Sequence, residues 1–284
     1  MAFSTLIEAT SLRDLVGKPG VAVLDCRFDL ANPDAGRSAY LAGHIPGAHY
    51  ADLNRDLSAP ITASSGRHPL PSPQDLVATL QRLKIGPDSQ VIAYDDSAGA
   101  FAARAWWLLR WVGHRAVAVL DGGIKAWLAA GGSLETGPGQ VATFAARFAP
   151  QVDAGAVLDA ADVEARLADP EFMLIDARAA ERFAGTVEPI DAIAGHVAGA
   201  VNQPYSANLG PDGRFLPPAQ LRRLWQQRLA GRQPHQVAAM CGSGVTACHN
   251  LLSLEIADLS GAKLYAGSWS EWIRDAKRPT ARGE

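Results

Sequence analysis

Apolar residues in this chain gather into short runs of four or five, separated by longer stretches of helical character. Val21–Asp25, Val91–Tyr94 and Ala116–Leu120 lie in the first half, and Phe172–Ile175, Val237–Met240 and Ala262–Tyr265 in the second. Runs of this length, bounded by glycine or polar residues, predict strands buried on both faces of a parallel sheet. Between them, Ala100–Val112 is rich in Ala and Leu, Leu221–Trp225 belongs to a helix before the 237–240 run, and Ala247–Leu259 reads as a helix after it. Trp106, Trp107 and Trp111 on the first of these helices predict core or interface packing. Alternating strands and helices predict an α/β fold whose sheets are mainly parallel and flanked by helices.

The pattern is written twice. Val23-Leu24-Asp25-Cys26-Arg27 returns as Leu174-Ile175-Asp176-Ala177-Arg178, and Ala42-Gly43-His44 as Ala194-Gly195-His196. Leu120-Asp121-Gly122-Gly123, ending at Trp127, returns as Tyr265-Ala266-Gly267-Ser268, ending at Trp272. Three matches in one order predict two tandem domains, each of ordinary domain size. We expect the first over residues 1–132 and the second over 154–284. The segment 133–153, with Gly137, Pro138, Gly139 and Pro150, has the composition of a linker. His44 and His196 recur in both halves, as structural histidines tying down a turn would. Superposing the halves sets Asp95 where the second half has Cys241.

Composition narrows the function classes. The 284 residues are 48% hydrophobic and 19% charged with a net charge of −3, which gives no support for nucleic-acid binding. No apolar run is long enough for a membrane span, and the amino terminus lacks the basic start and apolar core of a signal peptide. Three cysteines without a Cys-x-x-Cys pair make neither a disulfide framework nor a zinc site. A reducing cytoplasm is the expected location, with no metal and no cofactor.

Candidate chemistry concentrates in Cys241-Gly242-Ser243-Gly244-Val245-Thr246-Ala247. Cys241 stands at the carboxyl end of a predicted strand, where open α/β sheets place ligands. Glycines at 242 and 244 let the backbone curl so that successive amides aim at one anionic atom, with a helix N-terminus behind them. Such surroundings favour a thiolate nucleophile.

This loop resembles the active-site loop of sulfurtransferases with the rhodanese fold, and among them the 3-mercaptopyruvate sulfurtransferases; the repeat extends the resemblance over nearly the whole chain. It implies two rhodanese-like domains, the first silent because Asp95 cannot carry sulfane sulfur. It also implies an enzyme that moves sulfur from 3-mercaptopyruvate through a Cys241 persulfide to cyanide, a small thiol or a thioredoxin-like protein. Thiosulfate-specific relatives carry two basic residues after the cysteine. Here Gly242 and Ser243 are neutral, which favours mercaptopyruvate and leaves thiosulfate as the alternative donor. The loop residues Gly242, Gly244, Val245 and Thr246 are expected to bind substrate. Ser243 either relays a proton or holds its own loop.

The resemblance assigns Arg182 to the donor's carboxylate and places a second arginine where this chain has Ile190, which implies weak carboxylate binding. Arg214 is a candidate replacement. His68, in Gly66-Arg67-His68-Pro69, matches a histidine facing the active loop, in a catalytic or a loop-holding role. Its acidic partner falls on Asn54, with Asp52 two residues away. Cys26 reads as a packing residue, and Cys248, about two helical turns after Cys241, as a buried helix residue with a resolving thiol as the alternative. A cysteine-phosphatase reading fails because Ala247 stands where such loops need arginine. A non-enzymatic persulfide carrier or regulatory binding module remains as a reading of another class.

Overall fold

The computed structural model describes residues 2–139 and 149–283; residues 140–148 of the predicted linker lie outside the described residues. The chain forms two compact units that are not two continuous stretches. Unit 1 takes Met1–Ala59, Leu70–Asp153 and Asp212–Arg214, while unit 2 takes Pro60–Pro69, Ala154–Pro211 and Phe215–Glu284.

Unit 1 holds β1 (Leu6–Ile7), α1 (Ala9–Arg13), β2 (Val21–Asp25), α2 (Ala35–Ala42), β3 (His49–Tyr50), α3 (Pro73–Arg82), β4 (Gln90–Tyr94), α4 (Ala102–Trp111), β5 (Val117–Leu120) and α5 (Gly123–Ala129). Its strands run parallel in the order β1-β5-β4-β2-β3. β5 is buried at every position and β4 at all but its first, as a strand covered on both faces requires. Ile7, Leu12, Val23, Ile92, Leu120 and Trp127 pack in one core cluster. α3 starts where Ser72 accepts the Asp75 amide and Pro73 presets the first helical φ. The tryptophans of α4 are core residues: Trp106 is buried and donates to Ser4 O at 2.8 Å, and Trp107 stacks on Trp111.

Unit 2 holds β6 (Val157–Leu158), α6 (Ala160–Arg166), β7 (Met173–Asp176), α7 (Ala180–Ala184), β8 (His196–Val197), β9 (Val201–Asn202), α8 (Pro218–Leu229), β10 (Val237–Met240), α9 (Ala247–Ile256), β11 (Lys263–Tyr265), α10 (Ser268–Trp272) and β12 (Thr280–Ala281). Its parallel sheet has the order β6-β11-β10-β7-β9, the same path as in unit 1, and β12 pairs antiparallel with β8. β10 therefore lies second-neighbour to both edges, buried along its length. Asp159 and Asp162 close a capping box at the start of α6.

The repeated motifs build repeated joints. Arg27 grips Asp25 and donates to Gly43 O at 2.8 Å; Arg178 grips Asp176 and donates to Gly195 O at 2.7 Å. His44 Nδ1 lies 2.8 Å from Tyr40 O and its ring stacks on Tyr40, while His196 Nδ1 lies 2.8 Å from Phe183 O and stacks on Phe183. Both histidines tie a helix end to the following turn, which is a structural role.

Candidate active site

Cys241 follows β10 directly, so the sheet fixes where its side chain emerges. Among the described residues two amides reach its sulfur: Sγ accepts from Ser243 N at 3.4 Å and Gly244 N at 3.2 Å. The backbone of the loop is strapped from α10. Cys241 N donates to Ser268 Oγ at 3.0 Å, Trp269 N donates to Cys241 O at 3.0 Å, and Ser270 N donates to Gly242 O at 2.9 Å. Ser268 sits at φ +55°, in the left-handed region uncommon for a residue with a side chain. Its hydroxyl bridges Tyr265 O to the cysteine amide, so the side chain does work that a glycine there would not.

Gly244 has φ +77°, and a methyl group on it would lie 2.3 Å from Ala266 O. Only glycine turns the chain there. Gly242 is needed for a different reason: a methyl group on it would lie 2.8 Å from Arg67 Nη2 and 3.6 and 3.7 Å from the terminal nitrogens of Arg182. Val245 O and Thr246 O accept the first helical bonds of α9, from Cys248 N at 3.0 Å and His249 N at 3.1 Å.

Ser243 Oγ and His68 Nδ1 share a hydrogen bond of 2.7 Å, with Ser243 6% and His68 4% exposed. His68 thus meets the loop, as the resemblance implies. In unit 1, Asp52 Oδ1 accepts the amides of Asn54 and Arg55. Arg214 groups with unit 1, where it faces Asp212 at 3.8 Å and packs beside Gly122. Cys248 is fully buried and its thiol donates to Gly244 O at 3.4 Å, a packing role. Burial, reinforced by Asp25, Asp95 and Asp56, pushes the Cys26 thiol well above its ordinary pKa.

Arg182 is positioned by two carboxylates. Its Nη2 donates to Glu188 at 2.8 Å and to Asp191 at 2.9 Å, and its Nε lies 3.2 Å from both Glu188 oxygens. Asp191 also takes the Nη1 of Arg67 on its other oxygen. Arg67 was missed in the sequence, although it adjoins His68. Ile190 is 43% exposed, and its amide alone serves this cluster by donating to Glu188 at 3.0 Å. Burial pushes the Glu188 carboxyl up, but bonds from Arg182 and from the Asp191 and Ile190 amides outweigh it and hold the group below its ordinary value. A carboxyl depressed in the folded state adds stability above the ordinary carboxylate range and loses it as pH falls through its folded pKa. Glu188→Gln should therefore lower the melting temperature at pH 7, with the difference from the native protein narrowing toward pH 3. A constant difference across that range would show that Glu188 contributes through packing instead.

In unit 1 the corresponding loop is occupied by its own side chain. Asp95, fully buried after β4, accepts Ser97 N and Gly99 N on Oδ1, both at 2.9 Å, and Phe101 N at 2.8 Å and Ala102 N at 2.9 Å on Oδ2. Its carbonyl accepts Ile124 N at 3.0 Å, as that of Cys241 accepts Trp269 N. The two loops share a frame, and a carboxylate fills the amide nest where the second has sulfur.

The Rhodanese-like domain family matches residues 8–130 and again 159–275. The chain is a tandem member of the rhodanese-like family. This rhodanese-like chain is 51% identical, over the full length of both, to a Pseudomonas aeruginosa protein named "Probable 3-mercaptopyruvate sulfurtransferase". It is 34% identical to the thiosulfate sulfurtransferase of Rattus norvegicus, covering 98% of this chain and 93% of that one. The crystal structure of the 3-mercaptopyruvate sulfotransferase SseA from Escherichia coli matches with a TM-score of 0.80 at 31% identity, covering 94% of this chain and all of that one. No helix among the described residues is long and apolar enough to cross a membrane.

Proposed function

We propose that this protein is a sulfurtransferase that takes sulfane sulfur from 3-mercaptopyruvate onto Cys241 and passes it to a thiol, cyanide or a thioredoxin-like protein. The observation that carries the reading is the Cys241 sulfur facing two loop amides beside the Ser243–His68 pair. In the first step the Cys241 thiolate attacks the donor's sulfur. The carbon–sulfur bond breaks, its electron pair going to the enolate of pyruvate. The persulfide proton then passes to the enolate carbon, leaving pyruvate and Cys–S–S⁻. Ser243, hydrogen-bonded to His68, is placed to donate to the carbonyl oxygen as charge develops on it. In the second step an acceptor thiolate attacks the outer sulfur and Cys241 leaves as the thiolate. Two easier transfers replace one difficult one.

Within this reading Cys241 is the nucleophile, with Ser243 and His68 handling the proton. Arg182 holds the donor's carboxylate. Gly242 and Gly244 shape the nest, while Val245 and Thr246 start the helix behind it. The names of the relatives support both donors. Charge favours mercaptopyruvate: the guanidiniums of Arg67 and Arg182 reach Gly242 but are matched by the carboxylates of Asp191 and Glu188. A dianion such as thiosulfate meets no net positive charge from these four groups. Sulfur chemistry of this kind suits a reducing compartment, and the cytoplasm is the location we assign.

Steady-state rates with each donor test the proposal. kcat/KM for 3-mercaptopyruvate should exceed that for thiosulfate by about tenfold or more, the worth of one charge-assisted hydrogen bond. A preference for thiosulfate would overturn the donor assignment. A stable persulfide without turnover from either donor would make the protein a carrier instead.

A further inference from the structure

We infer that Arg67 is the second guanidinium of the donor's carboxylate clamp, acting with Arg182 across Gly242 and supplying the cation that position 190 lacks. The inference rests on the mercaptopyruvate reading and deepens it. Arg67 Nη2 and both terminal nitrogens of Arg182 converge on the face of Gly242 where a side chain would otherwise stand. That residue follows the nucleophile directly, so its missing side chain lets the guanidinium nitrogens come up against the reacting sulfur's own loop.

Two features make the pair a built arrangement rather than two mobile surface cations. Asp191, only 3% exposed at its side chain, takes Arg67 on one oxygen and Arg182 on the other, which holds the two forks in a fixed relation. The backbone of Arg67 is anchored as well: its amide donates to Ser270 Oγ at 3.0 Å, and the Ser270 amide donates to Gly242 O at 2.9 Å. One serine thus sets the register between the Arg67 segment and the catalytic loop.

The guanidinium has capacity left over. Arginine carries five N–H donors. Arg67 spends Nη1 on Asp191, while its Nε is buried with no acceptor among the described residues. A buried donor without a partner destabilises the fold, a cost that a bound carboxylate can relieve. Because Asp191 and Glu188 balance the two arginines, the clamp selects by directed hydrogen bonds more than by net charge. A planar monoanionic carboxylate fits such donors.

The test uses the full-length protein with Arg67→Met and Arg67→Lys, each checked by thermal unfolding. Three quantities are read: KM and kcat for 3-mercaptopyruvate, and the Kd of pyruvate by calorimetry. Pyruvate has the donor's carboxylate and carbonyl but no sulfur. Arg67→Met should raise KM and the pyruvate Kd together by about tenfold or more, with kcat within about threefold of native. Arg67→Lys should fall between, keeping the charge but losing the fork. Unchanged pyruvate affinity in both variants would overturn the inference, as would a fall in kcat alone, which would mean that Arg67 only supports His68. Native protein that turns over thiosulfate but not mercaptopyruvate would instead sink the donor reading. The pyruvate Kd would then still decide the clamp: weaker binding in Arg67→Met upholds it, and equal or absent binding rejects it.

Discussion

Cys241→Ser should cut sulfur transfer by about 10⁴-fold or more with every donor, the scale at which covalent enzymes lose rate with their nucleophile. The fold should survive. The residue is 2% exposed and its side chain nearly isosteric with serine, and the straps from Ser268, Trp269 and Ser270 hold backbone atoms that the change leaves in place. Treating the native protein with donor should add about 32 Da, one sulfur atom, to the peptide containing Cys241, as a covalent intermediate requires. Neither other cysteine is suited to the task. Burial and three nearby carboxylates keep the Cys26 thiol protonated, and Cys248 is enclosed with its thiol turned to Gly244 O. Sulfur found on either of those, or full activity in Cys241→Ser, would end the assignment.

The second large effect belongs to unit 1. Asp95→Ala would strip the acceptor from four amides at once, those of Gly99 and Ala102 buried and those of Ser97 and Phe101 half-buried. Each orphaned buried donor costs about 1–3 kcal/mol before relaxation or water entry, so a net loss of about 3–5 kcal/mol is expected. Asp95→Asn keeps one oxygen but turns N–H groups toward N–H groups, and should also destabilise. Calorimetry on the full chain reads the loss as an earlier unfolding transition. A shift worth under about 1 kcal/mol would mean that water or a solution anion serves the nest as well as the carboxylate does.

Much of this was legible in the residues because it is local. The Val21–Asp25 and Val237–Met240 strands coincide with the apolar runs, the Phe172–Ile175 run is displaced by one residue from Met173–Asp176, and the other three differ from the observed strands by a residue at one end. His44 and His196 declared themselves by recurring, and the Cys241 loop by its glycines. The Asp95 nest was half visible: superposition gave the residue, but the four amides it satisfies depend on the curl of the loop. Arg67 was hidden for another reason. Its acidic partner stands 124 residues away and the loop it faces is farther still, so no periodicity or spacing connects them. Asp191 was hidden in the same way, standing next to Ile190 at the position where an arginine was sought.

The excursion of Pro60–Pro69 into unit 2 bears on how such a chain can change over generations. A doubled sequence whose first copy has Asp95 where the second has Cys241 is open to losing that first copy. Here a deletion that kept only residues 154–284 would preserve the nucleophile and discard His68 and Arg67 with the segment that carries them. Losing the first copy would remove residues that cluster with unit 2, so the two copies are tied together. Shortening could proceed only after some neighbour in the second half had learned to replace that ten-residue loan.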